Sequence, residues 1–426
     1  MKNRFLSAIL SFLASLTIKK YKPFVIGITG SVGKTSAKKA IYSVLSTKYE
    51  VRESFGSFNN EFGLPITVIS SLNPNKLISI SRHGEDMNFS LFFKIKVFLE
   101  IVLEAFFNLV IKNKNYPQFL VLEYGADKPG DIKKLVSKIR PDLGVITFIG
   151  EIPAHVGNYP DADAVLREKA KLIEGFYVSQ YAILNGDDSK FQELKKRTRA
   201  KILSFGFNKE NDIKISSYES KISEEGVPEV NFKLEYGGSF VPVRVRNSIG
   251  KPVAYASAVA VASGLSLGMN LVEAIRGLNS FSPEQSRMNI LKGINRSLII
   301  DDSYNASLAS YLSAIEEIGS IKAARRIGFL GSMLELGKFS EDAHRRVGNL
   351  AAKFFDYLFI IGESARFIED GALGAGFDRR NIKRYLDSDT ASQEALSLIK
   401  QGDLVLIKGS RGIRMERIVE VLKLDK

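Results

Sequence analysis

The sequence predicts an α/β protein with two successive parallel-sheet domains, the second of them Rossmann-like. The first observation is Val25–Ser36, VIGITGSVGKTS, where an apolar strand runs through a glycine-rich turn into a helix. The second is a series of four short apolar segments after about residue 285, each followed by a helical pattern. Strands and helices that alternate at this spacing are typical of parallel, doubly wound sheets. Between the two series, Ile213–Arg246 alternates with period two, which predicts a small antiparallel section.

The turn within Val25–Ser36 has the form of a phosphate-binding loop. Its backbone N–H groups and the start of the next helix favour anionic oxygens, Lys34 can reach terminal phosphates, and the Thr35 hydroxyl can bind Mg²⁺. The longer form of the pattern has glycine five residues before Gly33, where this chain has Ile28, so the match is to the shorter form. A plain glycine-rich turn is the alternative. The predicted phosphate-contacting residues are Thr29, Gly30, Ser31, Val32, Gly33, Lys34, Thr35 and Ser36.

The composition of the chain restricts its chemistry. The 426 residues are enough for about three domains with apolar cores. The chain has no cysteine and only His83, His155 and His344, which excludes thiolate sites and a histidine-rich metal cage; any metal is predicted to be oxygen-bound Mg²⁺. A net charge of +13 favours anionic partners such as nucleotides, acidic lipid surfaces or nucleic acid, although a basic host proteome would also explain it.

Two apolar segments are flanked or interrupted by charged residues. Phe5–Ile18 has lysines on both sides, and its fourteen residues would span about 21 Å as a helix, less than the roughly 30 Å of a bilayer core. No cleavage site separates it from the turn, so we predict a helix that packs on the domain or lies on a membrane, in a cytoplasmic protein. Phe89–Ile111 contains two lysines and two glutamates, which favours an interfacial or buried amphipathic helix; core or dimer packing is the alternative.

The remaining elements follow in order along the chain. The first series is predicted as a helix to about Leu45, a strand at Phe119–Leu122 that ends before Glu123, a strand at Leu143–Phe148, a helix at Ala162–Ile173, a strand at Tyr181–Leu184 and a helix at Ala254–Leu267. The later strands are predicted near Ser297–Ile300, Ile327–Leu330, Leu358–Ile361 and Leu404–Ile407. The predicted organisation is an N-terminal helix at 1–24, a central domain at 25–283 with an insert at about 75–115, and a C-terminal domain at 284–426.

Ten segments together resemble one known family. They are TGSVGKTS at 29–36, FNNEFGLP at 58–65, VLEYGADKPGDI at 121–132, Ala154-His155, REKAKLIEG at 167–175, ILNGDD at 183–188, SRM at 286–288, DDSYNAS at 301–307, LGSMLELGKFSEDAHRRVG at 330–348 and LIKGSR at 406–411. In order and spacing they resemble the ADP-forming Mur ligases, and within them the MurF type. The resemblance implies peptidoglycan synthesis by an ATP-dependent peptide ligase, in which a carboxylate becomes an acyl phosphate and an amine, D-alanyl-D-alanine or similar, displaces the phosphate.

The resemblance also implies roles for residues of the central domain. Lys34 would hold the β and γ phosphates, Glu123 would bind Mg²⁺ with Thr35, and His155 would serve a second Mg²⁺. Lys169 matches the lysine that the family carbamylates, although Lys171 replaces the glutamate that usually follows. The predicted catalytic residues are Lys34, Asn60, His155 and Lys169, and the predicted metal ligands are Thr35, Glu123, His155 and Lys169. The alternatives are a solvated strand-end Glu123, a structural His155, a helix-surface Lys169 and an Asn60 that caps a helix.

Residues of the C-terminal domain complete the predicted site. By resemblance, ATP is approached by Arg287, Asp302, Tyr304 and Asn305 when the domains close. Lys408, Ser410 and Arg411 follow the carboxyl end of a predicted parallel strand, where such sheets bind ligands, and we assign them to the incoming amine and its carboxylate. Structural capping is the alternative for these three residues.

Two departures from the family pattern affect the predicted substrates. The adenine-contacting stretch Gly-x-His-Asn-x-x-Asn is replaced by Gly250–Ala256, GKPVAYA, and only 24 residues precede Val25, where the family has a UDP-sugar-binding domain. We therefore expect the acceptor to be held by another subunit, or to be a lipid-linked precursor, a free peptide or polyglutamate. The predicted partners are a small-molecule or lipid-linked cell-wall precursor and a dipeptide or amino acid, with peripheral membrane contact at the inner face and no nucleic acid.

Three other functions remain open on sequence alone. A poly-γ-glutamate, folylpolyglutamate or cyanophycin-type ligase belongs to the same chemical class. A membrane-associated ATP-binding regulator that has lost ligation belongs to a different one. A P-loop kinase or GTPase leaves the motifs of the second domain unexplained.

Overall fold

A computed structural model describes residues 2–56, 58–73, 76–77, 79–80, 90–223 and 227–424. Two residues singled out in the sequence, His83 and Phe89, lie outside these ranges, as does part of the predicted insert. The described chain forms two sheets, one from residues 24–246 and one from residues 289–408.

The first sheet has nine strands in the order β2-β3-β1-β4-β5-β6-β7-β8-β9. Neighbours from β2 to β7 are parallel, and β7, β8 and β9 are antiparallel. The strands are β1 Phe24–Thr29, β2 Val51–Glu53, β3 Phe119–Glu123, β4 Leu143–Ile146, β5 Tyr181–Asn185, β6 Lys201–Gly206, β7 Ile213–Ile222, β8 Pro228–Tyr236 and β9 Ser239–Arg246.

Helices cover both faces of this sheet, because parallel strands are apolar on both sides. One face packs against α2 and α8, and the other carries a layer that includes α1, α3 and α4, which pack against one another. The helices are α1 Lys2–Tyr21, α2 Lys34–Leu45, α3 Gly63–Ile69, α4 Leu91–Val110, α5 Asp131–Lys138, α6 Ala162–Ala170, α7 Phe191–Lys195, α8 Lys251–Ser266 and α9 Leu271–Gly277.

The second sheet has six strands in the order β10-β11-β15-β12-β13-β14, and all neighbours are parallel except β10 with β11. Its strands are β10 Asn289–Lys292, β11 Leu298–Asp302, β12 Arg325–Gly331, β13 Tyr357–Ile361, β14 Ile382–Tyr385 and β15 Asp403–Lys408. Its helices are α10 Leu308–Ser320, α11 Ser340–Ala351, α12 Arg366–Gly374, α13 Ser388–Leu398 and α14 Glu416–Leu422.

The predicted α/β fold class with two parallel sheets is confirmed, and the differences concern three edge strands, one strand inside the first sheet and one helix end. Strands β2, β6, β10 and β14 were not predicted; β2, β10 and β14 are short and partly polar, and β6 is buried only toward its C-terminal end. The second sheet is also not wholly parallel, since the short connection from β10 to β11 allows only a hairpin. The helix predicted to reach Ile173 ends at Ala170.

The apolar N-terminal segment and the insert form neighbouring helices on the first domain. Helix α1 contacts both α3 and α4, and α4 buries Val97, Ile101 and Ala105 in the core. Within the described ranges, no helix has the length and apolarity needed to cross a membrane.

Candidate functional site

The glycine-rich turn lies between β1 and α2 and depends on two glycines. Gly33 has φ 86°, and a Cβ on Gly30 would lie 2.1 Å from Thr147 Oγ1, so neither position suits a larger residue. The amides of Ser31 and Val32 donate to the Phe148 carbonyl at 2.7 and 3.3 Å. Two of the amides predicted to face anionic oxygens are therefore bonded to the chain, which leaves the first turn of α2 as the anion-facing part.

Two lysines converge on this turn from different helices. Lys34 Nζ donates to the Gly30 carbonyl at 2.8 Å, and Lys169 Nζ, from α6, donates to the same carbonyl at 3.1 Å. Burial lowers the pKa of both ammonium groups, and the charge of Lys34 helps to bring the pKa of Lys169 to about 7. Lys169 is therefore a buried residue next to the turn and not a surface lysine, and a large share of it is a neutral amine near pH 7.

Glu123 occupies the end of β3 beside the turn and is 1 % exposed. Thr35 Oγ1 lies 3.4 Å from Glu123 Oε2, and Lys38 Nζ lies 3.0 Å from Glu123 Oε1. Glu123 is thus a buried carboxylate and not the solvated strand-end residue of the alternative interpretation. A hydroxyl and a carboxylate side by side at a phosphate-binding turn are an oxygen donor set that suits Mg²⁺.

Sequence reasoning missed Lys38, which lies one helical turn after Lys34 and is fully buried. Besides Glu123, its ammonium reaches the carbonyls of Ser54 at 2.7 Å and Gly56 at 2.6 Å. A lysine in a helix is usually solvated, so only its place among the buried residues Ala37, Ala40 and Ile41 could have signalled this role.

We predict that Lys38→Met lowers the free energy of unfolding by roughly 3–5 kcal/mol, because a buried carboxylate would lose its counter-charge. Lys39→Met is the matched control, since Lys39 pairs with Glu53 nearer the surface and should contribute less than about 1 kcal/mol. Urea unfolding followed by circular dichroism compares the two variants. An equal loss of unfolding free energy in both variants would contradict the role of Lys38 as the counter-charge of Glu123.

His155 joins the central domain to the C-terminal domain. Its Nδ1 is bonded to the Glu335 carboxylate, and its Nε2 lies 3.9 Å from Asp127 Oδ1. The Gly157 amide also donates to the Glu335 carbonyl at 2.8 Å. Burial lowers the pKa of His155 although Glu335 opposes this, and Lys34 and Lys169 lower it further. Neither Asp127 nor Glu335 was singled out in the sequence, because each is a common surface residue type.

The loop that carries Glu335 is fixed by a second buried histidine, His344 on α11. The Met333 amide donates to His344 Nε2 at 2.8 Å, and Nδ1 lies 2.6 Å from the Ser340 carbonyl. This pairing assigns the proton to Nδ1 and leaves Nε2 as an acceptor. Burial lowers the pKa of His344 below its usual value, because the charged ring would lose its solvation, and the bond to the Ser340 carbonyl opposes part of this shift.

We predict that acidification destabilises the C-terminal domain through His344. Its folded pKa lies below that of the unfolded chain, so the unfolded state binds more protons, and stability present above about pH 6.5 is lost as pH falls further. The midpoint of urea unfolding should drop between pH 7 and pH 5, and His344→Gln should reduce that drop. The same pH dependence in both proteins would contradict this account.

Three C-terminal residues face the turn across the domain boundary. Arg287 Nη2 donates to Thr35 Oγ1 at 3.2 Å, and its guanidinium stacks 4.0 Å from the centre of the Tyr304 ring. Arg411 approaches the same ring at 5.3 Å. Arg287, which was predicted to approach the nucleotide, therefore reaches the residues of the glycine-rich turn directly.

Other predicted residues are bonded within the chain. Lys408 forms a buried ion pair with Asp302 and donates to the Asn305 carbonyl at 3.2 Å. Ser410 Oγ is buried and accepts from the Leu334 amide at 2.9 Å. Of the three residues predicted to bind the amine, Lys408 and Arg411 line a cavity between the two domains, and Arg411 is the more exposed.

Asn60 and Thr29 also have partners within the chain. Asn60 Oδ1 accepts from the amides of Phe62 and Gly63 at 3.0 Å, which is the capping arrangement that the alternative described, and Asn60 lines the cavity as well. Thr29 is fully buried and its hydroxyl donates to the Tyr124 carbonyl at 2.9 Å.

A cavity of about 1050 Å³ separates the two domains and joins these residues. Its walls include the turn, Glu123 and His155 on one side and Arg287, Tyr304 and Lys408 on the other. Within the described chain, two buried polar atoms on these walls have no hydrogen-bond partner: Ser31 Oγ and Arg287 Nε. Buried polar atoms normally have partners, so the cavity is suited to a charged, polar ligand.

Two groups of wall residues differ in chemistry. Lys251, Pro252 and Tyr255, from the stretch that replaces the family's adenine-contacting motif, line one part of the wall. Another part is lined by aromatic and aliphatic residues from the loop before α3 and from α3 itself, namely Phe55, Phe58, Phe62 and Ile66.

Comparisons with known proteins agree with this architecture. The family model described as Mur ligase middle domain matches residues 101–251, and the one described as Mur ligase, glutamate ligase domain matches residues 286–411. A relative from Bacillus subtilis (strain 168), UDP-N-acetylmuramoyl-tripeptide–D-alanyl-D-alanine ligase, is 28% identical over 96% of this chain and 78% of its own length.

Two solved structures share the fold. MurF from Acinetobacter baumannii superposes with a TM-score of 0.77 at 23% identity, over 96% of this chain and 79% of its own. MurF from Thermotoga maritima, solved in complex with ADP, has a TM-score of 0.76 at 22% identity, over 97% of this chain and 83% of its own. Both domain models match in the expected order and together cover more than half of the sequence, so the chain belongs to the Mur ligase family of ATP-dependent ligases.

Proposed function

We propose that this protein is an ADP-forming amide ligase that activates a carboxylate as an acyl phosphate in the cavity between its domains. The observation that carries the proposal is the cluster of Lys34, Lys169 and Glu123 at a phosphate-binding turn, faced by Arg287 from the other domain. Such an arrangement binds and neutralises phosphate charge, which is the main requirement for phosphoryl transfer.

Residues of the central domain supply the phosphate and metal contacts. We assign Lys34 and the first turn of α2 to the β and γ phosphates, and Thr35 and Glu123 to Mg²⁺, which would offset the charge that develops on transfer. Lys169 is neutral often enough to add CO₂, and the resulting carboxylate would provide an oxygen ligand near His155.

Residues of the C-terminal domain would complete the site when amine binds. Arg411 offers a guanidinium on the cavity wall, suited to the carboxylate of an amino acid or dipeptide. Lys408, held by Asp302, fixes the loop from which Arg411 extends. The contact between His155 and Glu335 would hold the domains together and keep water from the acyl phosphate.

We propose a cell-wall precursor peptide as the acceptor and D-alanyl-D-alanine or a similar amine as the donor, in the cytoplasm where the nucleotide is available. The name of the Bacillus subtilis relative supports this substrate class. The apolar wall at Phe55, Phe58 and Phe62 supports a lipid-linked form of the precursor, while a nucleotide-linked form is the other source of the same peptide.

Phosphate release with a panel of acceptors tests the proposal. The arms are UDP-muramoyl tripeptide, its lipid-linked counterpart and a free peptide, each with and without D-alanyl-D-alanine. Release that requires both acceptor and amine, with amide product detected by mass spectrometry, is expected. ATP turnover that responds to no acceptor or amine would contradict ligation and favour a regulatory ATP-binding role.

A further inference from the structure

We propose that the outward face of α4 is a docking surface for the surface of an anionic lipid bilayer, in the plane of which the helix lies. The proposal does not depend on the ligation reaction. It rests on the exposed side chains of α4, on the cations around them and on the way the helix is fixed to the domain.

The exposed face of α4 is a continuous apolar stripe. Its members recur at spacings of three and four residues, which places them on one side of the helix, and they are Phe92, Ile95, Leu99, Leu103, Phe106 and Val110. They are between 47% and 80% exposed, although the opposite side of the same helix is buried in the core. The stripe runs about 27 Å along the helix, and contiguous exposed apolar patches are typical of interaction surfaces.

The charges around the stripe favour an anionic partner. Lys96 is exposed beside the stripe. Four further lysines are exposed near the C-terminal end of the helix, and none of them forms an ion pair with a described carboxylate: Lys19, Lys22, Lys112 and Lys114. The two acidic residues of α4 already have partners within the chain. Glu100 pairs with Lys76 at 2.7 Å, and Glu104 accepts from Ser70 and Ser71. The surface presented outward is therefore apolar and cationic.

Helix α4 is held firmly enough to act as a platform. Tyr21 at the end of α1 donates to the Asn108 carbonyl at 2.7 Å and stacks on Tyr116 with ring centres 4.1 Å apart. Lys20 donates to the carbonyls of Asn108 and Leu109 at 2.9 Å, so it neutralises the negative end of α4. The face does not need to fold on contact, and little conformational entropy would be lost on docking.

An anionic bilayer matches this chemistry better than a second copy of the chain. If two copies of the chain associated through the stripe, the lysines of one copy would lie near those of the other and repel them. The two described carboxylates of α4 already have partners, so they would not offset this repulsion. Helices of this kind bury their apolar side in the interface while lysines meet lipid phosphates.

Flotation with vesicles tests the proposal on the full chain. Equimolar phosphatidylcholine and phosphatidylglycerol vesicles should carry the protein, pure phosphatidylcholine vesicles much less, and added salt should weaken binding. The double variant Leu99→Asn, Phe106→Asn should lose at least about tenfold in affinity. The double variant Lys112→Gln, Lys114→Gln should lower the affinity for the anionic vesicles by roughly fivefold per lysine.

Matched controls separate docking from general effects of substitution. Phe240→Asn changes an aromatic residue of the same exposure, 59% against 60% for Phe106, on β9 instead of α4. Lys322→Gln with Lys400→Gln removes two exposed lysines of the C-terminal domain. Both controls should float like the parent protein. ATP turnover measured without vesicles should be unchanged in all variants, so failure to dock is distinguishable from failure of ligation.

Three results would overturn the proposal. One is the absence of flotation with the anionic vesicles, and another is an equal loss in the Phe240→Asn control. The third is a dimer, seen by light scattering, that Leu99→Asn with Phe106→Asn converts to monomer while no vesicle binding is found, because the stripe would then be an interface between copies of the chain.

Discussion

Replacing Lys34 by methionine is expected to lower kcat/KM for ligation by roughly a hundredfold to a thousandfold. The ammonium is buried at the turn and lies on the wall of the cavity, so its loss would leave phosphate charge without its nearest fixed counter-ion. Steady-state ADP formation in the presence of both substrates measures the effect. Affinity for the nucleotide, measured by calorimetry, should fall as well.

The same helix provides the control for Lys34. Lys39→Met removes a lysine of α2 that pairs with Glu53 and does not line the cavity, so it should change kcat/KM by less than about twofold. Thermal unfolding of both variants shows whether the fold is retained. A Lys34→Met protein that folds and ligates like the Lys39→Met protein would rule out the turn as the phosphate site.

Activity should depend on bicarbonate through Lys169. Because the pKa of Lys169 is about 7, its neutral fraction falls about tenfold for each pH unit below that value, and only the neutral amine adds CO₂. The addition forms an N–C bond, releases one proton and leaves a carboxylate. Enzyme depleted of CO₂ should therefore lose activity and regain it with bicarbonate, more completely at pH 8 than at pH 6.

Two further measurements connect this dependence to Lys169 itself. Carbon-13 NMR with labelled bicarbonate should show one carbamate signal in the parent protein and none in Lys169→Ala. Lys169→Ala should be slower by roughly a hundredfold to a thousandfold, and formate or acetate should restore part of its activity, but not that of Lys34→Met. A parent protein that shows no carbamate signal, and whose activity does not change when CO₂ is removed, would contradict carbamylation of Lys169.

The sequence was sufficient to predict the fold class because its signals are local. The glycine-rich turn needs only the residues from Val25 to Ser36, and each apolar strand is followed by its own helix. The position of Glu123 at a strand end was predicted from the local pattern, whereas its proposed metal role came from the family resemblance, because the turn beside it lies 88 positions away in sequence. Edge strands such as β10 and β14 were missed because they are short and depend on pairing partners distant in sequence.

The parts of the site that sequence could not predict depend on contacts between distant residues. Lys38 resembles any solvated helical lysine until β3 brings Glu123 beside it. Glu335 lies 180 positions after His155, and its role at the domain boundary follows only from domain packing. For α4, the sequence shows apolar residues on most sides, and only the contacts with α1 and α3 determine which side is left exposed.

Transfer of oxygen from the acceptor carboxylate to phosphate distinguishes acyl-phosphate formation from other routes to the amide. An acceptor peptide labelled with oxygen-18 in its reacting carboxylate is incubated with ATP and the amine, and the released phosphate is analysed by mass spectrometry. If the carboxylate attacks the γ-phosphate and the amine displaces the acyl phosphate, each phosphate formed carries one labelled oxygen, and ADP is the other product. Unlabelled phosphate, or AMP with pyrophosphate, would contradict the mechanism proposed for this cavity.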